Sequence, residues 1–452
     1  MHTHHNVPQE AGPHTSESQG QETLAGPPPS RLTQLHSELP GQDLTFFAGA
    51  PYVYHCHHFN LFHDQTVDDA LGDDEGSKLR ERAAYGASRQ LLAGAFDAHG
   101  ASTPAERLEL SSALFRHMGH GRLEIMANET GGRARGEHLH YSLSWREKYG
   151  AKVRRHQPID AFAAGFSAAA VELAFELPAG EMVGREEQCY ACMDPACEFT
   201  LERFDAASIT AKAAPALERS TIEKHLAPPR RGLGESEVET IARGLKDFLL
   251  GVEADERGLM QGFGVYITRH LSSYYNQTAY DTIHRIEHER PNAAGVVEEL
   301  FGESGHVCVF YTLGNILLSP EWEALVAPPS GDVMETIQWT LAACRGLGFG
   351  HWTLAELEPN KRLVLQASAT YEAPFYLERY GRSQKARSYF LAASALAITR
   401  LAHSVDLASK PQLTAELYQS LFKEDVPWRS EITRCLTRGD ELCEVVVEAA
   451  SA

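Results

Sequence analysis

A chain of 452 residues with 41 Lys and Arg against 61 Asp and Glu carries a formal charge of −20, which opposes a phosphate backbone or an anionic membrane surface and argues against nucleic acid as the main partner. No apolar run approaches the roughly 20 residues that span a bilayer, and the N-terminal segment, rich in His, Gln, Ser and Pro, lacks the apolar core of a signal peptide, so a soluble cytoplasmic protein is expected. Eight Cys are too few for a disulfide scaffold at this length, and the clustered ones are expected to bind metal or stay reduced.

Residues 1–40, which include Gly26-Pro27-Pro28-Pro29-Ser30, read as a flexible tail, because so little apolar surface cannot offset the entropy of ordering. A first unit is expected over 41–206, a linker over 207–235 around Ala227-Pro228-Pro229-Arg230-Arg231-Gly232, and a second unit over 236–452 opening on the amphipathic Ser236-Glu237-Val238-Glu239. In the first unit the periodicity predicts helices over 54–71 and 77–99, strands over 122–126 and 138–142, and an Ala-faced helix over 160–175. The second unit predicts helices over 265–287 and 332–345, strands over 351–357 and 362–370, and a helix over 386–403. Each ends in a cysteine loop and a last strand. The class expected is therefore α+β, with two tandem repeats of an antiparallel sheet packed against helices.

The duplication rests on matches that fall in the same order in both halves. Tyr54, His58, Gln65 and Thr66 match Tyr266, His270, Gln277 and Thr278 without a gap, and Arg116, Gly119 and Gly121 match Arg345, Gly348 and Gly350. Glu147-Lys148-Tyr149-Gly150 matches Glu378-Arg379-Tyr380-Gly381. Last come Cys189 and Cys197 before Glu-Phe-Thr-Leu-Glu, and Cys435 and Cys443 before Glu-Val-Val-Val-Glu.

A Gly- and Ala-containing helix, an acidic residue, a Cys, a short loop with Gly or Asp, and a second Cys entering a strand together resemble the 4-vinyl reductase domain. Here the motif is Gly165-Phe166-Ser167-Ala168-Ala169, Glu186, Cys189, Met193-Asp194 and Cys197, repeated as Ala392-Ala393-Ser394-Ala395, Cys435, Gly439-Asp440 and Cys443. That family includes bacteriochlorophyll vinyl-reductase accessory proteins and the sensor domains of phenol- and xylene-responsive activators. The resemblance implies a fold like that of the 4-vinyl reductase domain, in which a zinc site of Cys and Glu borders a pocket for small aromatics.

It nominates Glu186, Cys189 and Cys197 as metal ligands. The sensors take a further Cys from the preceding helix, and the segment 160–175 has none; Cys192 can complete a tetrahedral shell, with His156 a weaker candidate. Cys435 and Cys443 form a possible second site, but Ile432 stands where the acidic residue belongs, and buried structural thiols explain that pair equally well. An iron–sulfur cluster from three thiolates and an outside ligand is the minor alternative to zinc.

His55-Cys56-His57-His58 with His63 permits a metal site without requiring one. Because His58 recurs as His270, the shared residues Tyr54, His58, Tyr266 and His270, with Phe62 and Phe166, are expected to line an apolar pocket, although ordinary core packing accounts for any one of them. Arg-Gly-Leu-Gly-Phe-Gly at 345–350 reads as a helix-to-strand turn and not a dinucleotide loop. Two function classes follow: a zinc-containing sensory protein that binds a small apolar or aromatic ligand and signals through a protein partner, or a metal-dependent enzyme or tetrapyrrole-processing accessory protein.

Overall fold

The computed structural model describes residues 29–150, 153, 155–204, 216–424 and 428–450. Its strands are β1 (His36–Leu39), β2 (Leu44–Phe47), β3 (Ala50–Cys56), β4 (Glu124–Asn128), β5 (Gly131–Gly136), β6 (Met182–Gln188), β7 (Cys197–Arg203), β8 (Met260–Gly262), β9 (Val265–Leu271), β10 (Trp352–Glu358), β11 (Arg362–Ala367), β12 (Trp428–Arg434) and β13 (Cys443–Ala449). They form three antiparallel sheets packed against helices, which makes the class α+β as expected. Two sheets are equivalent, β4-β5-β7-β6 in the first half and β10-β11-β13-β12 in the second. The third, β1-β2-β3-β9-β8, joins a hairpin from each half.

That central sheet was not legible in the sequence. The helices expected from 54 and 265 start later, at His57–Leu71 and Ser272–Glu289, because β3 and β9 occupy the preceding segments. The turns before them explain the difference: Ala48 and Gly49 at φ 46° and 81°, and Phe263 and Gly264 at 58° and 74°, are two-residue turns with both central residues left-handed, the geometry that matches hairpin twist. The strand expected at 138–142 is instead the entry to the helix His140–Tyr149, and β5 is the partner of β4. The helix Pro104–His117 went unread, although Thr103 and Glu106 form a reciprocal capping box with proline at the first turn.

The hairpins are exchanged. In the central pair Val53 lies opposite His270 and His55 opposite Thr268. The Tyr54 amide donates to Leu347 O of the second half at 2.9 Å, while the Arg269 amide donates to Met118 O of the first at 3.0 Å. Arg269, fully buried, also donates to the carbonyls of His117, Leu249 and Val252, satisfying helix ends that would otherwise lack partners.

These bonds correct the repeat register. The turns equate Gly49 with Gly264 and the amides equate Tyr54 with Arg269, so the counterpart of His270 is His55, not His58. A three-residue shift along a strand also moves every side chain to the opposite face. Pairing Tyr54 with Tyr266 therefore set two residues with different surroundings against each other.

The tail expected over 1–40 falls outside the described residues up to 28; beyond it Pro29–Thr33 is helical and His36–Leu39 is β1. Of the expected linker, 207–215 lies outside the described residues, and Leu217 and Ile222 are buried in the core. Among the described residues no helix is long and apolar enough to cross a membrane.

A chain cut at residue 206 would leave the β3 edge unpaired and His55 without its second-half neighbours. Light scattering at micromolar concentration is expected to show a dimer or aggregate. A stable monomer with native circular dichroism would mean that the exchange is dispensable.

Candidate functional site

The first cysteine loop is built by a bulge, a tight turn and a helix N-terminus. β6 carries an irregularity between Glu186 and Gln188 where it pairs with β7, the device that re-aims a strand side chain. The loop then turns through Tyr190–Cys192 to Met193 at φ 74°. Asp194 fastens it by accepting from the Cys189 amide at 2.8 Å, and the Tyr190 amide points at Cys197 Sγ at 3.4 Å. Glu186, Cys189 and Cys197 thereby bring one ligand atom each to within 4.8 Å of one another, a group that can hold a metal ion.

One Glu186 oxygen accepts from the Asp160 amide at 2.6 Å, whereas Oε1 is buried with no partner. An unpaired buried carboxylate oxygen facing two thiols costs free energy unless a cation satisfies it. Burial pushes both Glu186 and the Cys197 thiol up, and the neighbouring Cys192 and Cys197 thiols draw Cys189 down. Cys192 is buried beside Cys189 but outside the group of three, and His156 is exposed.

The second loop repeats this frame with other chemistry. The Cys435 amide donates to Asp440 at 2.7 Å, the Leu436 amide points at Cys443 Sγ at 3.4 Å, Gly439 takes φ 93°, and β12 is irregular between Ile432 and Arg434. Here Ile432 occupies the place of Glu186, and Ser388, the residue before its helix, occupies that of Asp160.

The other concentration of polar groups lies under the central sheet. His270 is enclosed by Tyr275, Phe162, His120 and Tyr274, with ring centroids 4.3, 4.4, 4.8 and 4.9 Å away. Its Nε2 meets the Tyr141 hydroxyl at 2.9 Å. Asn60 donates to Thr268 and meets His140 Nε2, and it accepts from Tyr275. Both ring nitrogens of His120 are buried without partners, as is Nδ1 of His140. Burial holds His120, His140 and His270 below the usual imidazole range, so all three are neutral.

The pseudo-equivalent chamber around His55 is more apolar: Phe59 and Phe349 stack on its ring, and Tyr275, Tyr371 and Phe390 meet it edge-on. Gly119 and Gly121, at φ 82° and 111°, present His120 to the first chamber, and Gly348 and Gly350, at 85° and 117°, present Phe349 to the second. The turn read at 345–350 thus delivers a chamber residue.

The cysteine loop and the His270 chamber are physically joined. Cys197 Sγ donates to Ser142 at 3.2 Å, next to Tyr141. Arg80, paired with Asp64 and Asp68, donates to Ile159 O at 3.0 Å, next to the Asp160 whose amide holds Glu186. Phe162 follows on the same helix, which approaches the helix Asp73–His99 so closely that a Cβ on Gly165 would lie 2.2 Å from Glu81 O.

The six residues expected to line one pocket are dispersed. Tyr54 packs with Arg269 on the opposite face of the sheet from His270. Tyr266 donates to Glu147 at 3.0 Å. His58 sits beside His57 and Tyr311 with Phe62 half-buried a turn further on, and Phe166 packs on Phe115 and Phe162 behind the chamber. His270 alone stands at its centre. Tyr141 is among the aromatic residues that the sequence offers as cavity lining, whereas His120, His140 and Asn60 are not marked as participants, because they come from three separate elements.

No family model and no curated protein matches the chain. Among solved structures it is similar to the crystal structure of the phenol-responsive sensory domain of the transcription activator PoxR with phenol, at 15% identity and a TM-score of 0.33, over 39% of this chain and 88% of that one.

His120→Phe, which copies the residue at the equivalent position 349, removes two unpartnered buried nitrogens at nearly constant shape. It is expected to raise the stability of the ligand-free protein by about 1–2 kcal/mol in urea unfolding. A loss of stability would show that the imidazole has a partner in solution.

Proposed function

We propose that the protein is a zinc-containing sensory protein that binds a small, uncharged aromatic or hydrocarbon molecule in the His270 chamber and passes the signal to a protein partner. The observation that carries this reading is the unpartnered Glu186 oxygen beside two buried thiols, on a loop tied through Ser142 and Asp160 to a chamber with unpartnered imidazole nitrogens. It agrees with the sensor function implied by the resemblance of the cysteine motif to the 4-vinyl reductase domain.

The donor set suits zinc: two soft thiolates and a carboxylate, with Cys192 near enough to be recruited as the fourth. Bound there, zinc would supply a closed structural clamp between β6, the turn Tyr190–Cys192 and β7. The chamber contributes neutral donors and acceptors without a compensating cation, which favours an uncharged ligand. Since rings fill its centre, binding requires one of them to move. Displacing the Phe162 or Tyr275 ring would shift the helix that carries it, Ala161–Ala174 or Ser272–Glu289, and so give the ligand a structural consequence.

Elemental analysis is expected to find close to one zinc per chain, lost in Cys189→Ser, Cys197→Ser and Glu186→Gln and retained in Cys435→Ser. Removing it should lower stability by about 3 kcal/mol, because binding energy confined to the folded state is folding energy. Metal-free protein from chelator-free buffers would refute the site, and iron with sulfide and visible bands would assign a cluster instead. For the chamber, calorimetry with uncharged aromatic probes should show a negative heat-capacity change that His120→Phe and Phe162→Ala alter and His58→Ala does not. Binding that depends on His58 and ignores His120 would place the ligand elsewhere.

A further inference from the structure

The second cysteine loop keeps every backbone feature of the first and loses its cation chemistry. Cys435 Sγ and Cys443 Sγ lie 3.9 Å apart, with the Cys443 thiol directed at Cys435. The two acidic groups of the first loop are replaced, Glu186 by Ile432 and Asp160 by Ser388, and the buried Glu372 carboxylate accepts from the Phe390 and Leu391 amides and the Tyr280 hydroxyl. In their place hydroxyls converge on the sulfurs. Ser388 Oγ is 3.3 Å from Cys435 and 3.6 Å from Cys443, and Thr437 Oγ1 is 3.1 Å from Cys435.

From this geometry we propose that Cys435 and Cys443 form a peroxide-sensitive dithiol that closes reversibly to a disulfide. Cys435 is the attacking thiol, because the Cys443 S–H is directed at its sulfur and the Ser388 and Thr437 hydroxyls, which can donate to it, lie within hydrogen-bond reach. The same donors hold its thiol below the ordinary range, while Cys443 is pushed up.

The oxidant is hydrogen peroxide. The Cys435 thiolate attacks one peroxide oxygen, the O–O bond breaks, and the leaving hydroxide takes up a proton to become water, giving a sulfenic acid at Cys435. The Cys443 sulfur then attacks the Cys435 sulfur, the S–OH bond breaks, and the hydroxyl leaves as a second water with the proton from Cys443. Two thiols and one peroxide become one disulfide and two waters. Both sulfurs are covered, by the segment that carries Ser388 on one side and on the other by the turn Leu436–Arg438 and the segment to Leu442, whose Gly439 and Glu441 are exposed. That cover admits peroxide more readily than a bulky disulfide such as oxidised glutathione. The frame has little distance to close, since a disulfide needs the sulfurs at about 2.05 Å.

The proposal is independent of the ligand chamber, and it separates two loops that the sequence makes look alike. A metal on the first loop would shield its thiolates, whereas the second loop's are free to react.

The test uses the full, metal-loaded chain. Reduced protein is treated with equimolar hydrogen peroxide, quenched with N-ethylmaleimide under denaturing conditions, digested and mapped by mass spectrometry. The expected product is a Cys435–Cys443 cross-link lacking two hydrogens, restored by dithiothreitol and formed at least tenfold faster than oxidation of the buried reference thiols Cys56 and Cys344. In Cys443→Ala the intermediate should be trapped at Cys435 by dimedone. The wild-type map stands by itself if that variant does not fold. Cys435 and Cys443 recovered fully alkylated after treatment, oxidation no faster than that of Cys56 and Cys344, or stoichiometric metal bound at this pair would each overturn the proposal.

Discussion

The pairing of β3 with β9 is the constraint on which the rest depends. It joins two hairpins that each half has given to the other, and it buries His55 and His270 on one face while Tyr54 and Arg269 lie on the other. A hairpin alone is marginal in water, and its edges need partners. Exchanging hairpins satisfies both needs at once: each gains a neighbour strand, and each docks on the helix-to-strand turn of the other half through one amide. Each chamber is consequently composite, with its central histidine contributed by the opposite half.

That exchange couples the two chambers. Tyr275 faces His270 at 4.3 Å and meets His55 edge-on at 5.2 Å, and its hydroxyl donates to Asn60 beside His140. The unequal lining, imidazole-rich around His270 and mostly benzenoid around His55, gives the pair a polarity that two identical domains would lack.

The cysteine loops show how one backbone frame can serve two chemistries. The bulge, the amide-to-Asp bond, the left-handed turn residue and the amide aimed at the second sulfur occur in both. Three positions set the difference, the third being Cys192, where the second loop has Arg438. Glu186 with Asp160 makes a buried acidic cluster that invites a cation, while Ile432 and Ser388 set an apolar side chain and a hydroxyl at those places, and the sulfurs there are hydrogen-bonded and 3.9 Å apart.

Much was legible in the sequence because it is carried locally. The α+β class follows from periodicity and the duplication from short ordered matches, while the Glu186, Cys189 and Cys197 group is what the resemblance of the cysteine motif implies; a short turn between paired strands brings its ends together whatever the remainder does. The departure at Ile432 was visible for the same reason. The repeat register was not. Tyr54 and His58 matched Tyr266 and His270 by residue type, while equivalence in space is set by Gly49 and Gly264 and by hydrogen bonds to Leu347 and Met118, far away along the chain. Which residues share the chamber was hidden likewise: His120 enters from a glycine turn, His140 from a helix start, and His270, a pocket candidate in sequence, from an exchanged strand. Strand pairing between halves is a non-local choice governed by which edges and faces can be buried together, and only the tertiary structure decides it.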